Sequence, residues 1–481
     1  MEALEKDLHY YFYDPKQLRR FPNAHPFSGI TNLWFVYEAF LGRRYLTLQK
    51  KHQGPPAAKP VLRVGPNHLS FYSREAIKDI HGHGTLMEKG VHYDLLAGTH
   101  RHLADVVDRG EHTRKRKMLA ATFSQGSLSK YDDLVGQKML EFTGQMDRYC
   151  QSEPLDPTLR PVVDYRRWAI LYTQEVIAGI DGSTYQARYR DSIEGSMHRD
   201  CVFSAFPTWY HGLVTVTCEL IPQYRGYARR AKAFGDIVRH QVRRRIAQCT
   251  DEEDPHSDLM SALLRDRKNE SLNLEFGELF AEANVILNAG SHSTGIAMTN
   301  TINSLLHCPR AMRILQEELD VAIPDPNDIP SFEDVKLLPY LRACFDESMR
   351  MNAPSQFSLP RKTPPAGARI AGHWIAGDTQ VTTPTHAIHM DKEIWGDPDI
   401  YRPERWLGDD GKRLQEFFLA FSKGPRGCIG RNITYMEQSV MLATMVRRYN
   451  ISLADPKFEV SRYETVSTIV DALPLNFSRR G

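Results

Sequence analysis

The chain reads as mainly α with small β-sheets, folded as one domain over residues 1–481. Three observations point there. Apolar residues recur at helical spacing through most of residues 130–350. Period-two alternation is confined to short stretches near 61–73, 368–384 and 450–479. Internal repeats and low-complexity tracts are absent. Length alone suggests about three domains at roughly 150 residues each, but large single domains are common enough that this prior is weak.

In order along the chain, VLRVGPNHLSFYS (61–73) predicts two strands around a Gly65–Pro66 turn, after a short Pro/Ala loop, HQGPPAAKP, at 52–60. The helical region follows, broken by an acidic loop, EEDPHSD, at 252–258. Its clearest helix spans Phe276–His307, through FGELFAEANVILNAG and TGIAMTNTINSLLH. A basic helical stretch at 225–245 is most simply a solvated face, with anionic lipid or a redox protein as the alternative contact. Strands return near 368–384 and again over 450–479.

Composition excludes several classes. At 41% hydrophobic and 25% charged the chain is an ordinary globular protein, long enough to bury a sizeable core. A net charge of +2 gives no field for nucleic acid. The seven cysteines (Cys150, Cys201, Cys218, Cys249, Cys308, Cys344 and Cys428) are odd in number, irregularly spaced and without a CxxC pair. Free thiols in a reducing compartment suit them better than a zinc ribbon or a disulfide framework. His386 and His389 are too sparse for a metal site. No apolar run reaches 18 residues, so no helix is expected to span a bilayer. The first 22 residues are too charged for a secretory signal.

The chemistry concentrates in FSKGPRGCIG, residues 421–430. A cysteine in a glycine-rich loop just ahead of a helix meets the free N–H groups and dipole of the helix N-terminus, which favour its thiolate. Gly424, Gly427 and Gly430 allow tight turns and close backbone approach to a flat ligand. Arg426 adds a fixed charge. A lone cysteine in a turn is ordinarily just a small buried apolar residue. Here the ten residues fit F-x-x-G-x-R-x-C-x-G at every fixed position, through Phe421, Gly424, Arg426, Cys428 and Gly430.

That string resembles the heme-binding signature of the cytochromes P450, and other motifs agree in order and spacing. Glu347 and Arg350 match E-x-x-R on a helix, where a three-residue separation lets the pair meet. Pro403, Glu404, Arg405 and Trp406 match the following P-E-R-[FW], whose arginine joins the pair as a structural triad in this family. W-x-x-x-R corresponds to His112 and Arg116; a histidine N–H replaces the indole N–H as a donor to a heme propionate. Arg361 stands where the family places another propionate-binding arginine. The resemblance runs from about residue 20 to the C-terminus and has the flavour of fungal microsomal enzymes of secondary metabolism, near the benzoate 4-monooxygenases.

The resemblance implies a P450 fold, a large helical part with a smaller β-rich part. It implies heme b bound through the thiolate of Cys428, and a monooxygenase that hydroxylates a small organic substrate, aromatic or a secondary metabolite. Thiolate ligation pushes electron density onto the iron. Electrons come from NADPH only indirectly, through a separate NADPH–cytochrome P450 reductase, with cytochrome b5 as a further donor. Substrate contacts are expected from 85–108, 200–215, Ala283–Ala289 (with Asn288 and Ala289), Gln356–Leu359 (with Gln356, Phe357 and Ser358) and Ser467–Ile469. Two other readings stand beside this one: oxidative coupling, ring formation or rearrangement without oxygen insertion, and a non-catalytic heme-binding protein.

The long helix departs from the family pattern. Where an acid–threonine pair is usual, this chain has His292 and Ser293, then Thr294, after Ala289–Gly290. The small pair allows local opening of the helix. Ser293 keeps a hydroxyl, and His292, with an ordinary pKa of about 6.5, offers a proton relay or is a helix residue without a role. Residues 18–27 (LRRFPNAHPF) resemble the basic, proline-containing hinge that follows a membrane anchor, so 1–27 is expected to be a hinge-like segment without an anchor. The resemblance then places the protein at the cytosolic face of the endoplasmic reticulum if an anchor was lost and in the cytoplasm otherwise, with contact to a membrane surface open.

Overall fold

The computed structural model describes residues 11–55, 58–151, 162–178, 186–206, 208–248, 261–264, 272–356 and 359–480. Phe357, Ser358, Cys249 and the acidic loop at 252–258 lie outside them. The helices that build the site are α1 (Arg44–Gln53), α2 (Arg74–His81), α3 (Arg109–Ala120), α4 (Asp132–Gln151), α5 (Tyr165–Ala178), α6 (Gln186–Phe203), α7 (Pro222–Gln248), α8 (Phe276–Leu306), α9 (Pro339–Met351) and α10 (Arg431–Arg448). Among the described residues, twelve short strands accompany them: β1 (Val61–Gly65), β2 (His68–Phe71), β3 (Glu88–Lys89), β4 (Val163–Asp164), β5 (Arg361–Lys362), β6 (Ala368–Ile370), β7 (His373–Ile375), β8 (Gln380–Thr382), β9 (Tyr449–Leu453), β10 (Arg462–Tyr463), β11 (Ile469–Val470) and β12 (Pro474–Arg479).

The two stretches of alternation around residue 65 and near 380 meet in one mixed sheet of order β1-β2-β8-β5-β3. β2 and β8 run parallel, the other neighbours antiparallel. The C-terminal alternation resolves into the sheet β4-β12-β9 and the hairpin β10–β11. The expected hinge is docked rather than free. Leu18, Phe21 and Ala24 are buried, and the chain bonds along β1 through Ala24 N–H to Arg63 O and Arg63 N–H to Pro22 O.

The largest apolar core gathers side chains of α4, α5, α8, α9 and α10. α8 runs through it as an unbroken α-helix buried for most of its length. It stays helical through Ala289–Gly290, and its glycines serve packing. A Cβ at Gly290 would stand 2.6 Å from Ile177 Cδ1, and one at Gly295 would stand 2.9 Å from the Ile170 Cα. Glycine thus lets α5 lie against α8.

Far from this contact, α1 is tied to the C-terminal hairpin. Arg44 donates to Glu464 Oε1 from Nε (3.1 Å) and Nη2 (3.0 Å), and Tyr45 N–H donates to Oε2 (2.9 Å). Both charges are buried. The hairpin in turn holds the segment after α9: Thr468 N–H donates to Pro354 O (2.6 Å), and Ser355 Oγ to Val466 O (3.1 Å).

Gly295→Ala tests the helix contact. Alanine is the better helix former by about 1 kcal/mol, but overpacking costs about 1–3 kcal/mol. Backbone atoms of Ile170 cannot yield as a side chain would, so a net loss is expected. The denaturant midpoint of the holoprotein should fall; an equal or higher midpoint would show that α5 and α8 are not in such contact.

Candidate active site

The cysteine loop is closed by its own backbone. Cys428 N–H donates to Phe421 O (2.9 Å) and Gly427 N–H to Gly424 O (3.0 Å). Gly424 has a positive φ of 68°, and a Cβ there would lie 1.9 Å from the carbonyl oxygen of His81, so no other residue fits. Gly430, by contrast, has φ −78° and room for a Cβ. What it supplies is an N–H. The side chain of Cys428 opens onto a cavity deep in the protein. Burial raises its thiol pKa; the N–H groups of Gly430 and Arg431, with the charges of Arg116 and Arg431, act the other way. These are the groups a thiolate needs.

The cavity has a volume of about 290 Å³. Ala289, Ser293 and Ala297 line it from one face of α8, four residues apart. Phe421, Leu419 and Thr434 line it from the other side. Ser293 Oγ donates to its own helix at Ala289 O (2.7 Å), leaving its lone pairs as acceptors. Thr294 is buried and bonds Thr434 Oγ1 (3.1 Å), tying α8 to α10.

His292 is not among the lining residues. It is buried, with Nε2 3.9 Å from the carboxylate of Glu194 on α6, which pairs with Arg166 on α5. Burial, and then Arg166, lower its pKa to about 3, so the ring is neutral. Asn288 and Gln356 also do not line the cavity; each has a side-chain oxygen buried without a partner. Of the residues expected to contact substrate, Ala289 and Leu359 line this cavity. Among the described residues, 85–108, 200–215 and 467–469 do not line it; His81, Met349, Pro354, Ser355, Thr383 and Thr385 do.

Cations crowd one side of the site. Arg426 donates to Val106 O (3.1 Å) and Val107 O (2.9 Å), and Arg361 to Tyr93 Oη (3.1 Å). Arg116 reaches Gly427 O (2.7 Å), beside Cys428. Lys89, which no motif marked, donates to Leu103 O (3.0 Å) and Ala104 O (2.7 Å). Burial and mutual repulsion lower Arg426 to about 10 and His112 to about 3. Among the described residues, no carboxylate forms an ion pair with Lys89, Arg116, Arg361 or Arg426. A ligand carrying carboxylates would balance that charge. A thiol at a helix N-terminus, an apolar helix face opposite it and unbalanced cations at the edge together fit heme b.

Behind the loop, Glu347 lies between two arginines. It accepts from Arg350 Nε (2.9 Å) and Nη2 (3.0 Å), Arg405 Nε (2.8 Å), Trp406 Nε1 (2.9 Å) and the Arg402 N–H (3.0 Å). The structure thus brings E-x-x-R and P-E-R-W together.

The family model for Cytochrome P450 matches residues 33–474. The chain belongs to the cytochrome P450 family. The P450 is 28% identical to benzoate 4-monooxygenase bphA of Aspergillus niger, over 89% of this chain and 86% of that one. It is 31% identical to the cytochrome P450 monooxygenase atr2 of Stereocaulon alpinum, over 89% and 84%. It is 28% identical to trichothecene C-15 hydroxylase of Fusarium sporotrichioides, over 92% and 89%. The crystal structure of the cytochrome P450DA heme domain shares its fold, with a TM-score of 0.76 at 15% identity, covering 96% of this chain and 97% of that one. The P450 is therefore a heme oxidoreductase of the monooxygenase type.

Glu347→Gln would leave the buried Arg350 without a carboxylate and Arg405 with Asp397 alone. Removing one partner of a buried pair costs about 3–5 kcal/mol. The variant is expected to lose that much in urea unfolding; a shift under about 1 kcal/mol would mean the pair is not buried as described.

Proposed function

We propose that this P450 hydroxylates a small organic substrate, aromatic or a secondary metabolite, at a heme held by Cys428. It would take electrons from a separate NADPH-dependent reductase. The carrying observation is the Cys428 side chain opening onto the cavity at the start of α10, across from Ala289 and Ser293 of α8. When bound, the heme supplies dioxygen activation. The chain does the rest. The N–H groups of Gly430 and Arg431 hold the thiolate, and Arg361, Arg426 and Arg116 supply positive charge for the heme carboxylates. The apolar lining limits water near the reacting bond. Ser293, whose lone pairs remain available, positions a proton-bearing water at the α8 face. His292 is assigned no relay here, since it sits against Glu194 rather than in the cavity.

Among the relatives, an A. niger protein named for benzoate and an F. sporotrichioides protein named for trichothecene both resemble the chain at 28% identity. That supports the broad substrate class and selects no member of it.

Carbon monoxide added to the reduced protein should give the strongly red-shifted Soret band of thiolate ligation, and Cys428→Ser should lose it. A retained band would refute the assignment of Cys428. Ser293→Ala should raise peroxide released per NADPH consumed several-fold and lower product yield. Unchanged ratios would remove Ser293 from proton handling.

A further inference from the structure

Phe421 lines the cavity and takes the Cys428 N–H on its carbonyl. Its ring packs on that of Tyr435 from α10, with centroids 5.3 Å apart. Tyr435 is 6% exposed, and its hydroxyl donates to Asp346 Oδ1 of α9 at 2.6 Å. Asp346 is buried too, and its other oxygen accepts from Arg342 Nε (3.0 Å) and Gln415 Nε2 (3.3 Å). The Arg342 guanidinium lies 3.5 Å from the centre of the Tyr435 ring, and its side chain is 39% exposed. Arg431 lies 5.9 Å from the Phe421 ring and 5.7 Å from that of Tyr435. A line of contacts therefore runs from the cysteine loop through Phe421, Tyr435 and Arg342 to the surface.

Phenols are among the most easily oxidised side chains, provided that the hydroxyl proton has somewhere to go. If the electron left alone, a buried cation would remain, here against two arginines. If the proton leaves with it, a neutral phenoxyl remains. A carboxylate at 2.6 Å is the acceptor that this needs. Burial, and then the Asp346 charge, hold the phenol protonated at rest. Other tyrosines among the described residues lack one half of the arrangement. Tyr93, at the cation cluster, accepts from Arg361 and donates to no carboxylate. Tyr72, Tyr340 and Tyr449 donate to Asp391, Glu404 and Asp147 but pack on no ring of the cysteine loop.

We propose that Tyr435, with Asp346, is a relief path for oxidising equivalents. When the heme site is oxidised beyond its resting state and no substrate takes the oxygen atom, Tyr435 gives one electron toward it and passes its hydroxyl proton to Asp346. The inference rests on the heme reading above. The O–H bond of Tyr435 breaks, an O–H bond forms on Asp346, and the heme site is reduced by one electron. An anionic one-electron reductant of the ascorbate type, drawn by Arg342, returns the electron to Tyr435, and the proton comes back from Asp346. Two such turns consume the two oxidising equivalents of one peroxide. The two protons that complete the water come from the reductant through solvent.

The test mixes substrate-free holoenzyme with hydrogen peroxide and freeze-quenches it, for wild type, Tyr435→Phe and Asp346→Asn at equal content of carbon monoxide-binding heme. Electron paramagnetic resonance of wild type should show a tyrosyl signal whose splitting collapses in protein made with ring-deuterated tyrosine. Tyr435→Phe should lose most of that signal and bleach its heme several-fold faster in peroxide. Asp346→Asn keeps the phenol and removes the proton acceptor, so its signal should fall several-fold as well. Ascorbate should slow bleaching several-fold in wild type and much less in Tyr435→Phe. A tyrosyl yield and a bleaching rate unchanged in Tyr435→Phe overturn the inference. If Tyr435→Phe does not hold heme, an undiminished signal in Asp346→Asn overturns it instead. A normal red-shifted carbon monoxide band with no tyrosyl signal in wild type overturns this inference alone and leaves the heme reading standing. A wild-type protein without that band refutes the heme reading.

Discussion

Glu347, itself fully buried, accepts five hydrogen bonds on two oxygens, three of them from buried guanidinium groups. A carboxylate buried alone would be untenable; with two guanidiniums, an indole and a backbone N–H it becomes a fixed point. The guanidiniums spend most of their remaining donors on loop carbonyls, and Arg405 also pairs with Asp397. Arg350 bonds His389 O (2.6 Å) and Pro398 O (2.7 Å), and Arg405 bonds Trp395 O (2.7 Å). His389 then accepts from the Leu419 N–H (2.8 Å), two residues before Phe421. Irregular backbone has few hydrogen bonds of its own, so this network fixes a segment that neither helix nor sheet would hold. The position of the cysteine follows from it.

Two further constraints converge on the cavity. The glycines of α8 let α5 approach, which sets where the Ala289–Ser293–Ala297 face lies. The short sheet carries Arg361 and Lys89 to the edge of the site, while the cysteine loop contributes Arg426. This cluster is locally unfavourable as it stands, with cations opposed across a sheet and, among the described residues, no ion pair to a carboxylate. Conflict of that kind at an otherwise consistent fold is where function is expected.

The legibility of this arrangement in the sequence was uneven for physical reasons. The helix over Phe276–Leu306, the strands around Gly65–Pro66 and the cysteine loop were readable because each has a period or a dense string of special residues. Glu347, Arg350 and Arg405 were readable through motif order. What side chains face was not. His292 and Ser293 are neighbours, yet one meets Glu194 and the other the cavity, because a helix turns about 100° per residue. Gln356 and Ser355 likewise differ, in a segment without a period. Lys89 carries no motif; that it faces Arg361 depends on a strand register between residues more than 270 positions apart, and register between distant short strands leaves no trace in either one.

The Arg44–Glu464 pair joins positions 420 residues apart. During synthesis on the ribosome, α1 emerges long before its carboxylate exists. An arginine destined for a buried site cannot be buried early without its partner. The N-terminal elements therefore cannot reach their final packing until the last hairpin arrives, and closure of that long loop comes late in folding. The same pair that fixes the hairpin in the finished molecule acts during folding as a checkpoint on completeness.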